Sequence, residues 1–341
     1  MRRRFLRALR PGHGRTRGGT ELMQAMRTRY VAFGLQLHSS FPLPGMTPEQ
    51  KDGLPTLALE LVTPAELQSS WSGPAGPPAW RGRLGDGRPL TIERGTAGDV
   101  LFTYGDHAGF RLGSRGRRLD CAPSHAGPDW QRALIGKVLP SISVMRGYEA
   151  LHAGAVDSPE GVVAIAGPSG SGKSTLLAEL LGRGCPLFTD DELTLGRDHD
   201  GVRAHPGSPH MNLALDPPNG PAPQALGRTL GVIAGERWLS VHIRTRVRRP
   251  LRMVCLLERR PGLTPGAETL PANPLHLAPH MLGLSTGQRR SSDRFGLYSD
   301  LVERTTLLRL AGDLRSTPAE LADILAHALA RESTLAAEGI A

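Results

Sequence analysis

Cysteine is scarce in this chain of 341 residues, and its scarcity excludes a disulfide-stabilised protein and a cysteine-based zinc protein. The three cysteines, Cys121, Cys185 and Cys255, are scattered without a C-x-x-C pair. They therefore form neither a complete disulfide set nor a recognisable zinc site. This usage is typical of a reducing compartment, and we expect a cytoplasmic protein.

Long apolar runs are also missing, so neither a membrane span nor a secretory signal is predicted. The formal charge of +9 is concentrated at the start, because residues 1–29 hold nine arginines and one glutamate. The rest of the chain is nearly neutral, and nucleic acid is not expected to be the main partner. We expect residues 1–28 to form a flexible basic arm. A contact of this arm with nucleic acid or an acidic partner, and a native start at Met23 or Met26, stay open.

Lysine is rare as well, since only three of the 41 basic residues are lysines: Lys51, Lys137 and Lys173.

The length allows two domains of ordinary size. Residues 29–124 are predicted to form a β-rich accessory domain with strands over 30–37, 56–62, 90–93, 100–104 and 109–112. This segment has no nucleophile, metal cluster or phosphate loop. We interpret it as serving substrate recognition or dimer contact, so a homo-oligomer is one expectation.

The second half of the chain reads as an α/β domain over 125–331, followed by a tail over 332–341. A helical connector is expected to start with Asp129 as its cap and to kink or restart at Pro140. Arginines alternate with apolar residues over 241–249, which predicts a strand with one arginine face; an acidic ligand and plain solvent both remain possible for that face. Thr317 and Glu320 form a capping box at the start of a C-terminal helix.

The central motif lies in residues 167–174, which match G-x-x-x-x-G-K-[ST] in full. An apolar run over 161–166 predicts a buried strand before the loop, and residues from 175 onward predict a helix after it. In such loops backbone N–H groups surround the phosphates, the lysine reaches the β- and γ-oxygens, and the last hydroxyl holds Mg²⁺. The predicted ATP-binding residues are Gly167, Pro168, Ser169, Gly170, Ser171, Gly172, Lys173, Ser174 and Thr175.

Two carboxylates follow the loop closely, because Asp190 and Asp191 lie 17 and 18 positions after Lys173 at the end of a short predicted strand. Successive side chains on a strand point in opposite directions. One carboxylate can therefore face Mg²⁺ while the other faces an incoming hydroxyl. Upstream, His152 is expected to end the strand of a hairpin that leads into the loop, where it would polarise a carboxylate.

Taken together, His152 with Val156-Asp157, the phosphate loop, and the segment ELLGRGCPLFTDDELTL over 179–195 resemble the HPr kinase/phosphorylase family. The resemblance covers about residues 151–194 and implies an α/β P-loop fold of the HPr kinase/PEP carboxykinase-like type. Thr175 stands where the family carries Glu, so the reverse, phosphate-removing reaction is not implied. The N-terminal segment has little resemblance to the corresponding part of true HPr kinases.

The resemblance implies a role for each matching residue. Asp190 would be the base that takes the proton from a substrate serine, with His152 close by. Lys173 would bind the β- and γ-phosphates, and Ser174 with Asp191 would hold Mg²⁺. The resemblance leaves open which of the two aspartates takes which role.

The reaction implied is transfer of the γ-phosphoryl group of ATP to a serine of a peptide or small protein. Because the accessory domain differs from that of true HPr kinases, the arrangement looks closer to the stand-alone HPr-kinase-like proteins encoded with lasso peptide pathways. That resemblance implies the C-terminal serine of a precursor peptide as acceptor. Two alternatives remain: a small-molecule kinase and a non-catalytic nucleotide-binding regulator. A PEP carboxykinase-like enzyme is not expected, because it would need additional catalytic Lys and His ligands and this chain has only three lysines.

Overall fold

A computed structural model describes residues 27–51, 53–198, 201–215, 220–282 and 288–337 of the chain, without the side chains of 288–293, 333 and 335–337. Nearly all of the predicted basic arm, 1–28, and the last four residues of the predicted tail lie outside the described residues. The described chain is a mixed α/β structure with two eight-stranded sheets and one three-stranded sheet.

The first sheet contains eight strands in the order β1-β2-β3-β8-β7-β6-β5-β4. In chain order they are β1 (Thr28–Ala32), β2 (Leu35–Ser39), β3 (Thr56–Leu61), β4 (Trp80–Arg83), β5 (Pro89–Arg94), β6 (Val100–Tyr104), β7 (Ala108–Leu112) and β8 (Arg118–Pro123). Strand β3 lies parallel to β2 and β8, and the pairs from β5 to β8 are antiparallel. Helix α1 (Pro64–Ser70) follows β3 and begins at a capping box formed by Thr63 and Glu66.

The single strand predicted over 30–37 is in fact a hairpin. Phe33 and Gly34 have φ angles of 55° and 73°, so both central residues of the turn lie in the left-handed region. That geometry is a primed hairpin turn, which joins two antiparallel strands through two residues. Ala32 consequently pairs with Leu35 across the turn. The other predicted strands are confirmed with small shifts at their ends, while β4 and β8 were missed.

The connector is one nearly continuous helical rod with a change of pitch. It consists of α2 (Asp129–Ala133), a π-helical turn (Leu134–Val138) and α3 (Leu139–Met145). Pro140 lies in the first turn of α3, directly after the π-helical turn, so the rod changes its hydrogen-bonding pattern and restarts as an α-helix there. The predicted cap is wrong, because Pro128 occupies the cap position and the Asp129 carboxylate pairs with Arg88 instead.

The second large sheet holds the segment that carries the motifs. Its order is β10-β9-β12-β13-β17-β19-β18, with β11 paired to β9 and β10 also paired to β17. The strands of this half are β9 (Glu149–Ser158), β10 (Gly161–Ala166), β11 (Leu187–Thr189), β12 (Glu192–Asp198), β13 (Gly201–His205), β14 (His210–Ala214), β15 (Gly227–Ile233), β16 (Glu236–Val241), β17 (Arg249–Arg259), β18 (Gly266–Leu270) and β19 (Thr306–Gly312). Strands β14, β16 and β15 form the small third sheet. All six residues of β10 are buried, as the apolar run predicts.

The helices of this half cover the sheets and their edges. They are α4 (Lys173–Gly182), α5 (Pro223–Leu226), two short 3-10 turns (Pro274–His276 and Ala278–His280), α6 (Gln288–Arg304) and α7 (Pro318–Ala337). The Thr317 hydroxyl accepts a hydrogen bond from the Glu320 N–H at 3.1 Å, so the predicted cap is present. Within the described ranges, no helix combines the length and apolar character that crossing a membrane requires.

The strand predicted over 241–249 is wrong. Strand β16 ends at Val241 and β17 begins at Arg249, and the residues between them cross the edge of β11 through single backbone hydrogen bonds to Leu187. Three arginines therefore do not share one strand face. Arg248 lies 3.1 Å from Asp198, whereas Arg244 lies 3.8 Å from Glu49.

One hydrophobic cluster crosses the predicted domain boundary at 124. It contains inward residues of the first sheet together with connector residues such as Leu134 and Ile142, and with Ile233 and Trp238 of the third sheet. The connector is thus packed against the first sheet rather than suspended between two cores. The division into domains at this point stays a prediction.

Ile142→Ala tests this shared core, because Ile142 is fully buried in the cluster. We expect the variant to lose about 2–5 kcal/mol of unfolding free energy, the usual cost of such a cavity. Urea unfolding followed by circular dichroism measures it. Leu61→Ala is the control, since Leu61 is 53% exposed on β3 and should change stability by no more than about 0.5 kcal/mol. Equal losses in the two variants would contradict the shared core.

Candidate active site

The glycine-rich loop joins β10 to α4 and turns sharply at its glycines. Gly170 and Gly172 have φ angles of 78° and 93°, a region that glycine enters without strain. A Cβ at Gly167 would lie 2.7 Å from the Leu257 carbonyl oxygen, so that position needs glycine for close packing. Gly172 occupies the N-cap of α4 and makes no side-chain cap. The positive end of the helix therefore faces outward as an anion site requires.

Lys173 lies over this loop at the start of α4. Its Nζ donates hydrogen bonds to the carbonyl oxygens of Gly167 and Pro168, at 2.9 and 3.0 Å. Burial lowers the pKa of Lys173, and the carboxylates of Asp191 and Asp190 oppose that shift. Within the described chain, the hydroxyl of Ser171 is buried without a hydrogen-bond partner.

The two aspartates follow β11 and have different partners. The Asp190 carboxylate accepts a hydrogen bond of 2.8 Å from the backbone N–H of Asn212, the middle residue of β14. Asp191 has a φ angle of 74°, which is rare for a residue other than glycine. Its carboxylate lies 3.2 Å from the Nζ of Lys137. The divergence predicted from the sequence is present, and the left-handed backbone at Asp191 contributes to it.

Asp191 lies in a group of four charged or titratable side chains. We call this group the charged cluster, and it consists of Lys137, His152, Asp191 and Glu192. Strand β9 pairs with β12 so that His152 lies opposite Glu192. The Nδ1 of His152 is 3.0 Å from the Asp191 carbonyl oxygen and 3.6 Å from its carboxylate. Lys137, on the π-helical turn, donates a hydrogen bond of 2.7 Å to Glu192. His152 thus lies within β9 and not at its end.

The charged cluster separates the pKa values of the two aspartates. Burial raises the pKa of Asp190, and repulsion from Asp191 adds to the shift. Burial acts in the same direction on Asp191, but the charges of Lys137 and His152 outweigh it, so the pKa of Asp191 is lowered. The Glu192 carboxylate raises the pKa of His152 against the effect of burial. The result is an ionised Asp191 beside an Asp190 that holds its proton more tightly.

One cavity of about 580 Å³ brings the loop and the charged cluster together. The predicted residues that line it are Ser169, Gly170, Gly172, Lys173, Ser174, Thr175, His152 and Asp191. Gly167, Pro168 and Ser171 belong to the loop but do not line the cavity. Asp190 does not line it either, but its carboxylate accepts a hydrogen bond from Asn212, which does. The side-chain oxygen of Asn212 is buried and has no partner within the described chain.

Sequence reasoning missed Lys137 as a site residue. Nothing in the motif pattern assigns a role to it, because it lies 36 positions before Lys173 in the connector. Its rarity was the available signal, since two of only three lysines in the chain now line the same cavity. Asn212 was missed for a similar reason, as it lies on a strand that shows no motif.

The donors present fit a nucleotide with Mg²⁺. The hydroxyl of Ser174 and the ionised Asp191 offer oxygen ligands, which Mg²⁺ prefers. In the part of the chain that the structure describes, no three His, Cys, Asp or Glu side chains form a group able to hold a metal ion. The remaining ligands would have to come from phosphate oxygens and water, which is usual for Mg²⁺ at phosphoryl-transfer sites.

Comparison with known proteins finds similarity only among solved structures. No model of a protein family matches the chain, and no curated protein matches it. Among solved structures, the chain is similar to the Hpr(Ser) kinase/phosphatase from Coxiella burnetii. The TM-score is 0.30 and the identity 15%, over 56% of this chain and 96% of that chain. A similarity of this size carries no argument about chemistry, so function is argued from the site itself.

The split aspartate pair predicts opposite pH dependences of stability for two matched variants. A raised pKa means that Asp190 costs the folded protein stability as pH rises above about 4. Asp190→Asn should therefore become more stable relative to wild type between about pH 4 and pH 8. Asp191 has a lowered pKa, so its stabilising contribution is present above about pH 4 and lost in more acid solution.

Asp191→Asn should accordingly be less stable than wild type at neutral pH and approach it as the solution is acidified. Urea unfolding from about pH 2 to pH 8 measures both variants, since the Asp191 contribution changes below about pH 4 and the Asp190 contribution above it. If the two stability differences change with pH in the same direction, the assignment of the two pKa shifts is wrong.

Proposed function

We propose that the protein is an ATP-dependent kinase that transfers the γ-phosphoryl group to a serine hydroxyl of a peptide or small protein. The observation that supports this most directly is the shared cavity. It places Lys173 and the open end of α4 in the same space as Asp191 and His152. A phosphate grip and an ionised carboxylate side by side are the parts that phosphoryl transfer requires.

The phosphate end of the site consists of the loop and Lys173. The N–H groups at the start of α4 would bind phosphate oxygens, and the Lys173 ammonium would exchange the carbonyls of Gly167 and Pro168 for β- and γ-oxygens. Ser174 and Asp191 would hold Mg²⁺, which neutralises charge on the phosphates when bound. Asp191 suits this task because Lys137 and His152 keep it ionised.

The acceptor end needs a proton acceptor. Asp190 fits because its raised pKa brings it closer to neutral pH, where a base works best. The serine oxygen forms a bond to the γ-phosphorus, the bond from that phosphorus to the departing ADP breaks, and the hydroxyl proton goes to the carboxylate. Asp191, however, lines the cavity and Asp190 does not. In the reversed assignment, Asp191 is the base and Asp190 holds Mg²⁺. The variants described below distinguish the two assignments.

The acceptor that we propose first is the C-terminal serine of a lasso precursor peptide. Support comes from the arrangement of the chain, in which motifs that resemble the HPr kinase family follow an N-terminal segment unlike that of true HPr kinases. This arrangement looks closer to the stand-alone HPr-kinase-like proteins of such pathways. Cytoplasmic location and homo-oligomer formation remain predictions.

Mass spectrometry of serine peptides and phosphocarrier protein incubated with the enzyme, ATP and Mg²⁺ tests the proposal. One acceptor should gain about 80 Da per phosphate. Asp190→Asn should lower kcat by at least about 100-fold, the usual contribution of a positioned base. Lys173→Ala should lose phosphoryl transfer because the phosphates lose their ammonium partner. If Asp191→Asn keeps its Mg²⁺ requirement and instead loses the fall of kcat at low pH that protonation of a base produces, the two aspartates have the reversed roles.

Matched controls exist for both substitutions. Lys51→Ala and Asp106→Asn change residues outside the cavity, and the Asp106 side chain is 86% exposed, so activity should stay within about twofold. Transfer to a small molecule alone would make this a small-molecule kinase. ATP binding without any transfer would contradict a kinase and favour a nucleotide-binding regulator.

Lys137 provides a separate prediction, because it contacts both Asp191 and Glu192. Lys137→Met leaves two carboxylates without their ammonium partner, so the pKa of Asp191 should rise toward its ordinary value. We expect kcat to fall by at least about tenfold and the acid limb of the kcat pH profile to move to higher pH. Lys137→Arg keeps the charge and should recover part of the loss. An unchanged pH profile in Lys137→Met would show that Lys137 only supports packing.

A further inference from the structure

The active-site cavity extends beyond the charged cluster into the first sheet. There it is lined by five side chains that we call the apolar recess: Trp80, Leu84, Leu90, Ile92 and Ala133. Leu90, Ile92 and Ala133 are buried, while Trp80 and Leu84 are half-buried and form the outer wall. The chemistry proposed above uses none of these residues. The recess is nevertheless continuous with the space in which phosphoryl transfer would occur.

The connector helix sets the distance between the recess and the carboxylates. Ala133 and Lys137 are four positions apart and both line the cavity, so they lie on one face of the helical rod. The recess therefore begins about one helical turn along the rod from Lys137, the residue whose ammonium contacts Asp191.

An extended peptide presents every second side chain to the same wall of the cavity. Its backbone advances about 3.3 Å per residue, and side chains two positions apart point to the same side. A peptide that presents its serine at the carboxylates would therefore place the side chain two positions away in the recess. Charged side chains also line this end of the cavity, but Arg132 pairs with Glu236, and the Asp86 carboxylate accepts a hydrogen bond from the Tyr104 hydroxyl. The surface that the recess offers to a ligand is therefore mainly aliphatic and aromatic, so the side chain that it accepts is apolar.

The walls of the recess are held in place before any ligand arrives. Beneath Leu84 and Leu90, the Tyr104 hydroxyl hydrogen-bonds with Asp86, and Arg88 donates to the same hydroxyl at 2.9 Å. Arg88 also pairs with Asp129 at the start of the connector helix. The hairpin loop between β4 and β5 is thus tied to the helix that carries Ala133. A preformed pocket loses little entropy when it binds a side chain.

We propose that the apolar recess is the acceptor-specificity site, which binds an apolar side chain two positions from the phosphorylated serine. This inference rests on the proposed kinase function and names its peptide substrate class. The adenine ring of ATP is the competing occupant. The recess opens from Asp191 and Lys137, where Mg²⁺ and the γ-phosphate are placed by the proposal, and the base of a nucleotide lies at the opposite end of its phosphates.

The test measures peptide binding separately from phosphoryl transfer. Short fluorescein-labelled peptides with a serine carry Leu, Phe, Ala or Glu two positions from it, on either side. Binding to the full-length chain is followed by fluorescence anisotropy in the presence of Mg²⁺ and a non-hydrolysable ATP analogue. Affinity for the ATP analogue alone is measured in parallel, and the same peptides are then assayed with ATP by mass spectrometry.

Leu84→Gln is the central variant, with Trp80→Ala as a second because the two changes perturb the hairpin differently. Leu61→Gln makes the same chemical change at an exposed leucine of the first sheet and is the matched control. We expect wild type and Leu61→Gln to bind the Leu or Phe peptides at least about tenfold more tightly than the Ala and Glu peptides. Leu84→Gln and Trp80→Ala should lose this preference and keep their affinity for the ATP analogue.

Two outcomes would overturn the inference. Peptide binding that ignores the flanking residue would show that the recess does not read it. Loss of affinity for the ATP analogue in both recess variants, with the peptide preference intact, would place adenine in the recess. Failure of the kinase proposal looks different, because the apolar preference in binding would then persist while no peptide gains phosphate.

Discussion

Compensation of three consecutive carboxylates is the constraint on which the site depends. Asp190, Asp191 and Glu192 follow a buried strand, and carboxylates so close together cannot all remain ionised away from water without cations nearby. The compensating groups come from distant parts of the chain: Lys137 from the connector helix and His152 from β9. Because these carboxylates need cationic partners, the connector and the β9–β10 hairpin lie against the end of β11.

The compensation is uneven, and that unevenness is what makes the pair useful. Lys137 and His152 both lie beside Asp191, whereas the Asp190 carboxylate accepts a hydrogen bond from the backbone N–H of Asn212. The same burial therefore produces a lowered pKa at one aspartate and a raised pKa at its neighbour. Two adjacent residues of identical chemistry thereby become suited to different tasks, one to hold a cation and one to accept a proton.

The first sheet takes part in the site through packing rather than chemistry. Its hydrophobic cluster includes the connector, so the helix that delivers Lys137 to the carboxylates is held by the same side chains that line the apolar recess. A segment without any catalytic motif thus shapes one end of the cavity. Its role in substrate recognition stays a prediction.

The sequence by itself determined the phosphate loop, the buried strand before it and the aspartate pair after it, because each depends on neighbours a few residues away. It also predicted most strands of the first sheet from their apolar alternation. It could not predict the turn at Phe33-Gly34, the broken segment over 241–249, or the roles of Lys137 and Asn212. Those depend on which distant strands pair and which helix packs on them. Only the tertiary structure decided the charge partners of each aspartate, since local patterns contain no information about contacts between residues far apart in the chain.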